Sequence, residues 1–261
     1  MSSCCSPVLP PSARAIRHAW LTDLITQIPL DSRSTYGSRR IHAELRLGRG
    51  IVVGHGVVEM LMRRAGVVGV GGRGRSKWRR IKPDHIATDM VDRQFNRTGP
   101  NQLWVTDITE HPTREGKVYC AVVLDAYSRR VVGWSIDSSP SATLVTNALG
   151  MAIQTRHPQR GAIIHSDQGV QFASWAFTQR AKQSGLVPSM GSVGDCYDNS
   201  MIEAFWSRMQ VELLDRKRWR TRVELANAIF EYLEIWHNRK RRHSRLGMLT
   251  PTEFENTTTV A

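Results

Sequence analysis

The sequence is poor in cysteine, in long apolar runs and in acidic residues, and each shortage excludes a class of protein. The four cysteines, Cys4, Cys5, Cys120 and Cys196, form no C-x-x-C pair and no Cys/His group, so we expect reduced thiols and no zinc site. No stretch approaches the roughly 20 apolar residues that span a bilayer. The first residues also lack the basic start and apolar stretch of a signal peptide. We therefore expect a cytoplasmic protein without membrane contact.

The charge balance indicates a polyanionic partner. The 261 residues carry 36 Lys and Arg against 23 Asp and Glu, a net charge of +13. Residues 1–100 hold 17 basic and 7 acidic side chains, whereas the remainder holds 19 and 16. Nucleic acid is the expected partner, and the first part of the chain should supply most of the attraction to phosphates. The second part keeps enough carboxylates for chemistry.

The first 70 residues predict helices. Residues 1–33 form an N-terminal extension with a short helix over about residues 12–27, and no role follows from its pattern. Residues 34–70 fit a helix-turn-helix unit with a turn at residues 48–50 and a second helix that ends at Gly66. The apolar faces of its two helices are predicted to be Ile41, Ala43, Leu45 and Leu47, then Val57, Val58, Leu61 and Met62. Two packed helices that never contact DNA are the alternative.

Residues 71–98 are predicted to be a basic linker. The glycine-rich run at residues 71–85 contains one tryptophan, Trp78. The linker either follows phosphates and stacks Trp78 on a base, or is a flexible, solvated tether.

Residues 99–256 predict an α/β catalytic domain. Three strand candidates, "NQLWVTDIT", "KVYCAVVLD" and "RRVVGWSI", have short connections and indicate an antiparallel meander. Helix "SATLVTNALGMAIQTRH", strand "GAIIHS", helix "VQFASWAFTQRAKQSG", strand "LVPSM" and helix "NSMIEAFWSRMQVELLDR" follow. This order predicts a ribonuclease-H-like fold, a mixed five-stranded sheet with flanking helices. A last helix, "RVELANAIFEYLEIWHNRKRRHS", ends in a basic cluster.

Three carboxylates occupy informative positions in this domain. Asp107 lies inside the first strand, Asp167 directly follows the fourth strand, and Glu203 lies beside the apolar stripe of the third helix. They converge if the first and fourth strands are neighbours and the helix packs across their ends. Carboxylates brought that close repel each other unless a cation neutralises them. Oxygen-rich sites suit Mg²⁺ or Mn²⁺, and two such ions support displacement at phosphorus, which predicts polynucleotidyl transfer.

The spacing and surroundings of these acids resemble a known catalytic core. Asp107 and Asp167 are separated by 59 residues, and Asp167 and Glu203 by 35. With "WVTDIT", "HSDQGVQF" and "YDNSMIEAFW" around them, they resemble the Asp-Asp-Glu core of retroviral integrases and insertion-sequence transposases. "NRKRRHSRLGMLTPTEFE" and "YGSRRIHAEL" are similar to segments of the insertion-sequence group numbered three, second-frame product. The resemblance covers residues 34–256.

The resemblance implies an activity and a set of partners. It implies a DNA transposase in which Asp107, Asp167 and Glu203 bind two Mg²⁺ or Mn²⁺ ions. A water frees a 3′-OH at the end of the element, and that hydroxyl then attacks another phosphodiester without a covalent protein intermediate. Transposon ends and target DNA are the implied partners of a homo-oligomer associated with the nucleoid. Related transposases often carry Lys or Arg seven residues after the catalytic Glu, whereas this chain has Gln210.

Several basic residues and one glutamine are predicted to contact DNA. They are Arg39, Arg40, Arg63 and Arg64 in the helical segment, Arg75, Lys77, Arg79 and Arg80 in the linker, and Gln210, Arg239, Lys240, Arg241 and Arg242 further on. For the C-terminal cluster, residues 238–245, a solvated basic face is the alternative to phosphate contact. At the level of function, a catalytically silent DNA-binding regulator and a structure-specific nuclease on the same fold remain alternatives.

Other residues near the acids are predicted to be structural. Asp125 is expected to cap a turn with Ser128. Asp195, Asp198 and Asn199 precede the Glu203 helix, where Asp198 or Asn199 would be an N-cap. His165 either packs in its strand, or orients a water or binds phosphate. Phe205 and Trp206 are expected in the core rather than stacked on bases.

Overall fold

The computed structural model describes residues 10–70, 97–167, 169–190 and 200–259. The chain divides into two compact units, Met1–Arg75 and Ser76–Ala261. The predicted linker contacts, Arg75, Lys77, Arg79 and Arg80, lie outside the described residues, as do Trp78, Asp195, Asp198 and Asn199.

The N-terminal unit begins with helix α1, Ala13–Asp31. The hydroxyl of Ser12 caps it by accepting a hydrogen bond from the backbone N–H of Ala15 at 3.2 Å. Leu21, Ile25 and Ile28 are buried. The helix predicted over residues 12–27 is confirmed and continues for one further turn. The boundary predicted between residues 33 and 34 stays a prediction, but α1 packs within the same unit as the helices that follow.

Two further helices complete this unit. Helix α2, Ser38–Ala43, continues into a π-helical turn, Glu44–Gly48, and helix α3 spans His55–Arg64. Ile41 and Leu45, one helical turn apart, are buried, as are Val58, Leu61 and Met62. The predicted apolar face is wrong at Leu47, which is 47% exposed. A spacing of two residues does not stay on one side of a helix, because the helical repeat is 3.6 residues.

The second unit is built on a mixed five-stranded sheet, as predicted. Its strands are β1 Leu103–Thr113, β2 Gly116–Asp125, β3 Val131–Asp137, β4 Ile163–Ser166 and β5 Val187–Met190. They are ordered β3-β2-β1-β4-β5 across the sheet. Strands β1, β2 and β3 form the antiparallel meander, while β4 and β5 run parallel to β1.

One face of the sheet packs on helices α4, Ala142–Arg156, and α5, Trp175–Gln183. The core on this side contains Trp104, Val123, Leu144, Leu149 and Phe177. Helix α5 is shorter than predicted, because residues 170–173 form turns and Ser174 is its N-cap. Gly133 of β3 lies against α4 so closely that a Cβ there would overlap the carbonyl oxygen of Ala148.

Helices α6, Ser200–Glu212, and α7, Arg222–Glu231, contact the strands from the C-terminal part of the unit. The last predicted helix is one long element that changes to a π-helix at Tyr232–Lys240. The side-chain amide of Asn238 pairs with β3, since it accepts from the N–H of Val131 and donates to its carbonyl, both at 2.9 Å. These bonds pair the backbone of Val131 at the start of the edge strand β3.

A final helix, α8 at Pro251–Thr259, was not predicted. Its start is a capping box in which Thr250 and Glu253 each accept the other's backbone N–H, at 3.2 and 2.9 Å. The sequence "TPTE" carries this signal. None of the helices in the described ranges is long and apolar enough to cross a membrane.

The close contact at Gly133 predicts that the fold does not accommodate a larger side chain at this position. Gly133→Ala should lower the free energy of unfolding by about 1–3 kcal/mol, because the added methyl forces β3 away from the backbone of α4. Denaturant unfolding of purified protein measures this. Ser135→Ala, two residues along the same strand, is the control and should change stability by less than about 0.5 kcal/mol. Equal stabilities of Gly133→Ala and the wild type would contradict the predicted overlap.

Candidate active site

The sheet topology brings two of the three predicted acids together. Strand β4 runs parallel to β1, and Ser166 is paired with Thr106. Asp167, the next residue after β4, therefore comes level with Asp107, the next residue along β1. Both aspartates line one cavity of about 270 Å³, together with Gln171. The expectation that the first and fourth strands are neighbours is confirmed.

Glu203 lies on α6 and interacts electrostatically with Asp107, although it is not among the residues that line this cavity. It lies in the first turn of this helix, and its side chain is exposed, as is that of Asp167. Asp107 is half-buried and interacts electrostatically with both other acids. Hence the three carboxylates belong to one electrostatic environment.

Burial and negative neighbours make ionisation of Asp107 costly. Desolvation raises its pKa to about 6, and the negative charges of Asp167 and Glu203 push it in the same direction. The backbone N–H of Ile108 and the indole N–H of Trp206 partly oppose this rise. Asp107 thus sits in a site whose negative potential favours a bound cation.

The donor set fits a hard divalent cation that keeps part of its water shell. Within residues 10–70, 97–167, 169–190 and 200–259, no three His, Cys, Asp or Glu side chains form a ready-made metal cluster. Mg²⁺ needs no such cage, because it commonly binds one or two carboxylates and completes its coordination with water and phosphate oxygens. Asp107 and Asp167 provide those two carboxylates on one cavity.

Trp206 has a role that sequence reasoning missed. Its ring packs against Phe205 with centroids 4.8 Å apart, in line with the expected core position of Phe205. However, Trp206 is only half-buried, and its indole N–H donates to Oδ2 of Asp107 at 3.0 Å. The spacing offered a signal, since residues three apart on a helix lie on one side and Trp206 follows Glu203 by three.

The segment after β4 is both a turn and the support of a carboxylate. Oδ1 of Asp167 accepts the backbone N–H of Gly169 at 3.0 Å, and the N–H of Phe172 donates to the carbonyl of Gly169 at 2.9 Å. These bonds end the strand and leave Asp167 exposed at the cavity.

Two neighbouring polar residues are structural. Oδ1 of Asp125 accepts the N–H groups of Tyr127 and Ser128 and the Ser128 hydroxyl, at 2.9–3.1 Å, which confirms the predicted turn cap. His165 is 1% exposed and its Nδ1 forms a hydrogen bond with the Ser189 hydroxyl at 3.1 Å. His165 therefore packs within the sheet, so the phosphate-contact interpretation is wrong.

Two of the predicted DNA contacts are wrong. Arg241 and Arg242 are each only 4% exposed. Arg241 donates from Nε and Nη2 to the carboxylate of Glu212 at 2.8–3.1 Å, and Arg242 donates to Glu253. Both guanidinium groups are used within the fold. The basic cluster in the sequence hides them, because their acidic partners lie 29 and 11 residues away.

Glu212 is the centre of a buried network at the end of α6. Besides Arg241, the Tyr232 hydroxyl and the Trp236 indole each donate to its Oε2 at 3.1 Å. His237 is packed beside this network, and its Nε2 forms a hydrogen bond with the carbonyl of Arg129 at 2.8 Å. Burial is the main reason that the pKa of His237 falls to about 4.

The remaining predicted contacts differ in exposure. Arg39, Arg63 and Arg64 are exposed in the N-terminal unit, whereas Arg40 is half-buried with its guanidinium 5.7 Å from the centre of the Tyr36 ring. Arg239 and Lys240 are exposed at the end of the π-helix. Gln210 donates to the exposed carboxylate of Asp215.

Family models match most of the described chain. A helix-turn-helix-like domain matches residues 16–75, and two integrase core domain models match residues 97–196 and 184–251. The helix-turn-helix-like match includes all of α1 except its first three residues. The other two include the strands of the sheet and the three acids.

Individual proteins are similar over nearly the same length. The transposase for insertion sequence element IS629 of Shigella sonnei is 39% identical over 94% of this chain and 81% of its own. Transposase InsF for insertion sequence IS3A of Escherichia coli (strain K12) is 36% identical over 86% of this chain and 78% of its own.

A solved structure supports the fold. A chain in the cryoEM structure of the simian T-cell lymphotropic virus intasome, in complex with PP2A regulatory subunit B56 gamma, superposes with a TM-score of 0.51. The superposition covers 82% of this chain and 73% of that chain at 14% identity. The ribonuclease-H-like, integrase-type fold is thereby confirmed.

The raised pKa of Asp107 predicts that Asp107→Asn stabilises the metal-free protein. Above about pH 6 the substitution removes a disfavoured charge, so the free energy of unfolding should rise by about 1–3 kcal/mol. Because the pKa of Asp107 is raised in the folded protein, its charge costs no stability below the ordinary carboxyl pKa, and the cost grows as pH rises. The stabilisation by Asp107→Asn should therefore vanish near pH 4. Denaturant unfolding in EDTA, above pH 6 and near pH 4, measures this difference in the free energy of unfolding.

Asp23→Asn is the control, because the Asp23 side chain is exposed on α1 and is not among the groups that shift the pKa of Asp107, so its substitution should change stability by less than about 0.5 kcal/mol. A less stable Asp107→Asn protein at neutral pH would show that the negative charge of Asp107 is not disfavoured in the folded protein.

The buried His237 predicts loss of stability in acid. A lowered folded-state pKa gives stability that is present above about pH 6.5 and is lost as pH falls towards 4, by at most about 3 kcal/mol. His237→Gln keeps an N–H donor for the carbonyl of Arg129 and should flatten this part of the stability curve. Unfolding at several pH values tests it, with the exposed His157→Asn as control. Identical curves for His237→Gln and the wild type would refute the assignment.

Proposed function

The chain belongs to the family of insertion-sequence transposases that have an integrase core domain, and we propose that Asp107, Asp167 and Glu203 are its catalytic residues. Members of this family are polynucleotidyl transferases. The observation that carries the proposal is the pairing of β4 beside β1, which brings Asp167 level with Asp107. The electrostatic interaction of Glu203 with Asp107 supports including the third acid.

Asp107 and Asp167 would hold a divalent cation, Mg²⁺ or Mn²⁺, with Glu203 completing a site for two ions. When bound, such ions lower the pKa of the attacking hydroxyl or water and neutralise charge on the leaving oxygen. The carboxylates contribute fixed negative charge and an oxygen-only donor set, which favours hard cations over zinc. No serine or tyrosine nucleophile is required.

The reaction has two displacements at phosphorus. In the first, water attacks the phosphodiester at the end of the element, the P–O3′ bond breaks, and a free 3′-OH results. In the second, that 3′-OH attacks a target phosphodiester and releases the 3′-OH of the target strand. The side chains of Asp107 and Asp167 orient the reacting groups on one cavity, and the same site serves both steps because each exchanges one P–O bond for another.

The N-terminal unit would recognise the terminal inverted repeats of the element. In the proposed organisation, residues 1–33 precede a DNA-binding segment at 34–70, a basic linker at 71–98 and the catalytic domain at 99–256. The exposed Arg39, Arg63 and Arg64 suit contacts to phosphate. The other proposed DNA contacts are Arg40, Arg75, Lys77, Arg79, Arg80, Gln210, Arg239 and Lys240. Two ends must be joined together, so the active form would be at least a dimer on DNA.

A cutting and joining assay tests the proposal. The full chain is incubated with Mg²⁺ or Mn²⁺ and a labelled duplex that carries the ends of the element. Asp107→Asn, Asp167→Asn and Glu203→Gln should each lower both 3′ cleavage and strand transfer by at least about 100-fold, because each removes a charged ligand.

Glu110→Gln is the matched control, since Glu110 lies on the same strand and cavity but is exposed and paired with Lys117. It should retain both activities. Cleavage without joining by the wild type would instead support a nuclease. Binding of the duplex without any cleavage would support a silent regulator.

A further inference from the structure

We propose that Trp206 is a positioning residue that orients the carboxylate of Asp107 for cation binding. The inference rests on the proposed function, because it assigns a role next to the proposed metal ligands. Its basis is the hydrogen bond from the indole N–H of Trp206 to Oδ2 of Asp107, 3.0 Å long.

The carboxylate of Asp107 is held at both oxygens. Oδ1 accepts the backbone N–H of Ile108 at 2.8 Å, while Oδ2 accepts the indole of Trp206. Two donors on different oxygens fix the plane of the group. Because an ionised carboxylate offers about four lone-pair positions, each oxygen can still bind a cation.

The same bond ties α6 to β1. Glu203 and Trp206 are three residues apart on α6 and therefore lie on neighbouring positions of one helix face. Phe205, between them in the sequence, is buried and packs on His237 with ring centroids 4.9 Å apart. At the other end of α6, Glu212 is held in its buried network. Trp206 thus links the helix that carries Glu203 to the strand that carries Asp107.

An indole suits this position for a chemical reason. It is a neutral donor that carries no acceptor and does not titrate, so it orients the carboxylate without adding positive charge. A lysine or arginine in its place would compete with the cation for Asp107.

Mn²⁺ binding to the full chain, measured by calorimetry without DNA, tests this role. Trp206→Phe keeps an aromatic ring and removes the N–H, so we expect Mn²⁺ affinity to fall by about 10- to 100-fold. Trp206→His restores a ring N–H and should recover part of the affinity. Unchanged Mn²⁺ affinity in a folded Trp206→Phe protein would overturn the inference.

Trp134→Phe is the matched control. Trp134 is also half-buried and donates its indole N–H to a carboxylate, that of Glu234, at 2.8 Å. Its removal should leave Mn²⁺ affinity at the wild-type value. An equal loss of affinity in both variants would show a general effect on folding and would overturn a specific role of Trp206.

Asp107→Asn separates the two proposals. If Asp107→Asn abolishes Mn²⁺ binding and Trp206→Phe does not alter it, only the positioning role fails. If Asp107→Asn binds Mn²⁺ like the wild type, the metal assignment of the proposed function fails.

A measurement on the unsubstituted protein covers the case in which Trp206→Phe does not fold. With ¹⁵N-labelled tryptophan, Mn²⁺ below one equivalent should broaden one indole N–H signal before the others, because the Trp206 N–H lies next to a ligand oxygen. Mg²⁺ should shift that signal without broadening it. Mn²⁺ binding with no selective broadening would contradict the proposal.

Discussion

The pairing of β4 beside β1 is the constraint on which the rest of the site depends. Parallel strands in register bring Thr106 and Ser166 together, and each is followed by an aspartate. A shift of one residue would turn the alternate side chains of β4 to the other face of the sheet. The long, mostly buried β2 on one side of β1 and the short, buried β4 on the other hold the register, because slippage would expose their buried side chains. The acidic site is therefore a consequence of how the core is packed.

The fold accommodates the cost of placing acids together. Asp107 keeps a raised pKa because burial and two negative neighbours outweigh its two hydrogen bonds. Carboxyl groups with a raised pKa cluster at functional sites, and here the ligand of the site would be a cation. Elsewhere the opposite arrangement holds, since Glu212 and Glu255 are buried but each is paired with arginine. Pairing with arginine, or capping of a turn as at Asp125, marks the structural carboxylates, whereas Asp107 lies beside two other acids.

Sequence patterns predicted the elements that depend on local information. Continuous apolar stretches gave the strands, and the setting of Asp107, Asp167 and Glu203 gave the acids. What the sequence did not reveal depends on contacts between distant residues. The bond from Trp206 to Asp107 spans 99 positions, and Arg241 finds Glu212 across 29. A charge cluster can be read along the chain, but whether its members are buried is decided only when the chain folds.

Anomalous scattering from a crystal of the full chain soaked in Mn²⁺ would locate the bound cation. We expect Mn²⁺ density within coordination distance of both Asp107 and Asp167, since the two aspartates line one cavity. Mn²⁺ density bound elsewhere, with the two aspartates free of metal, would contradict it.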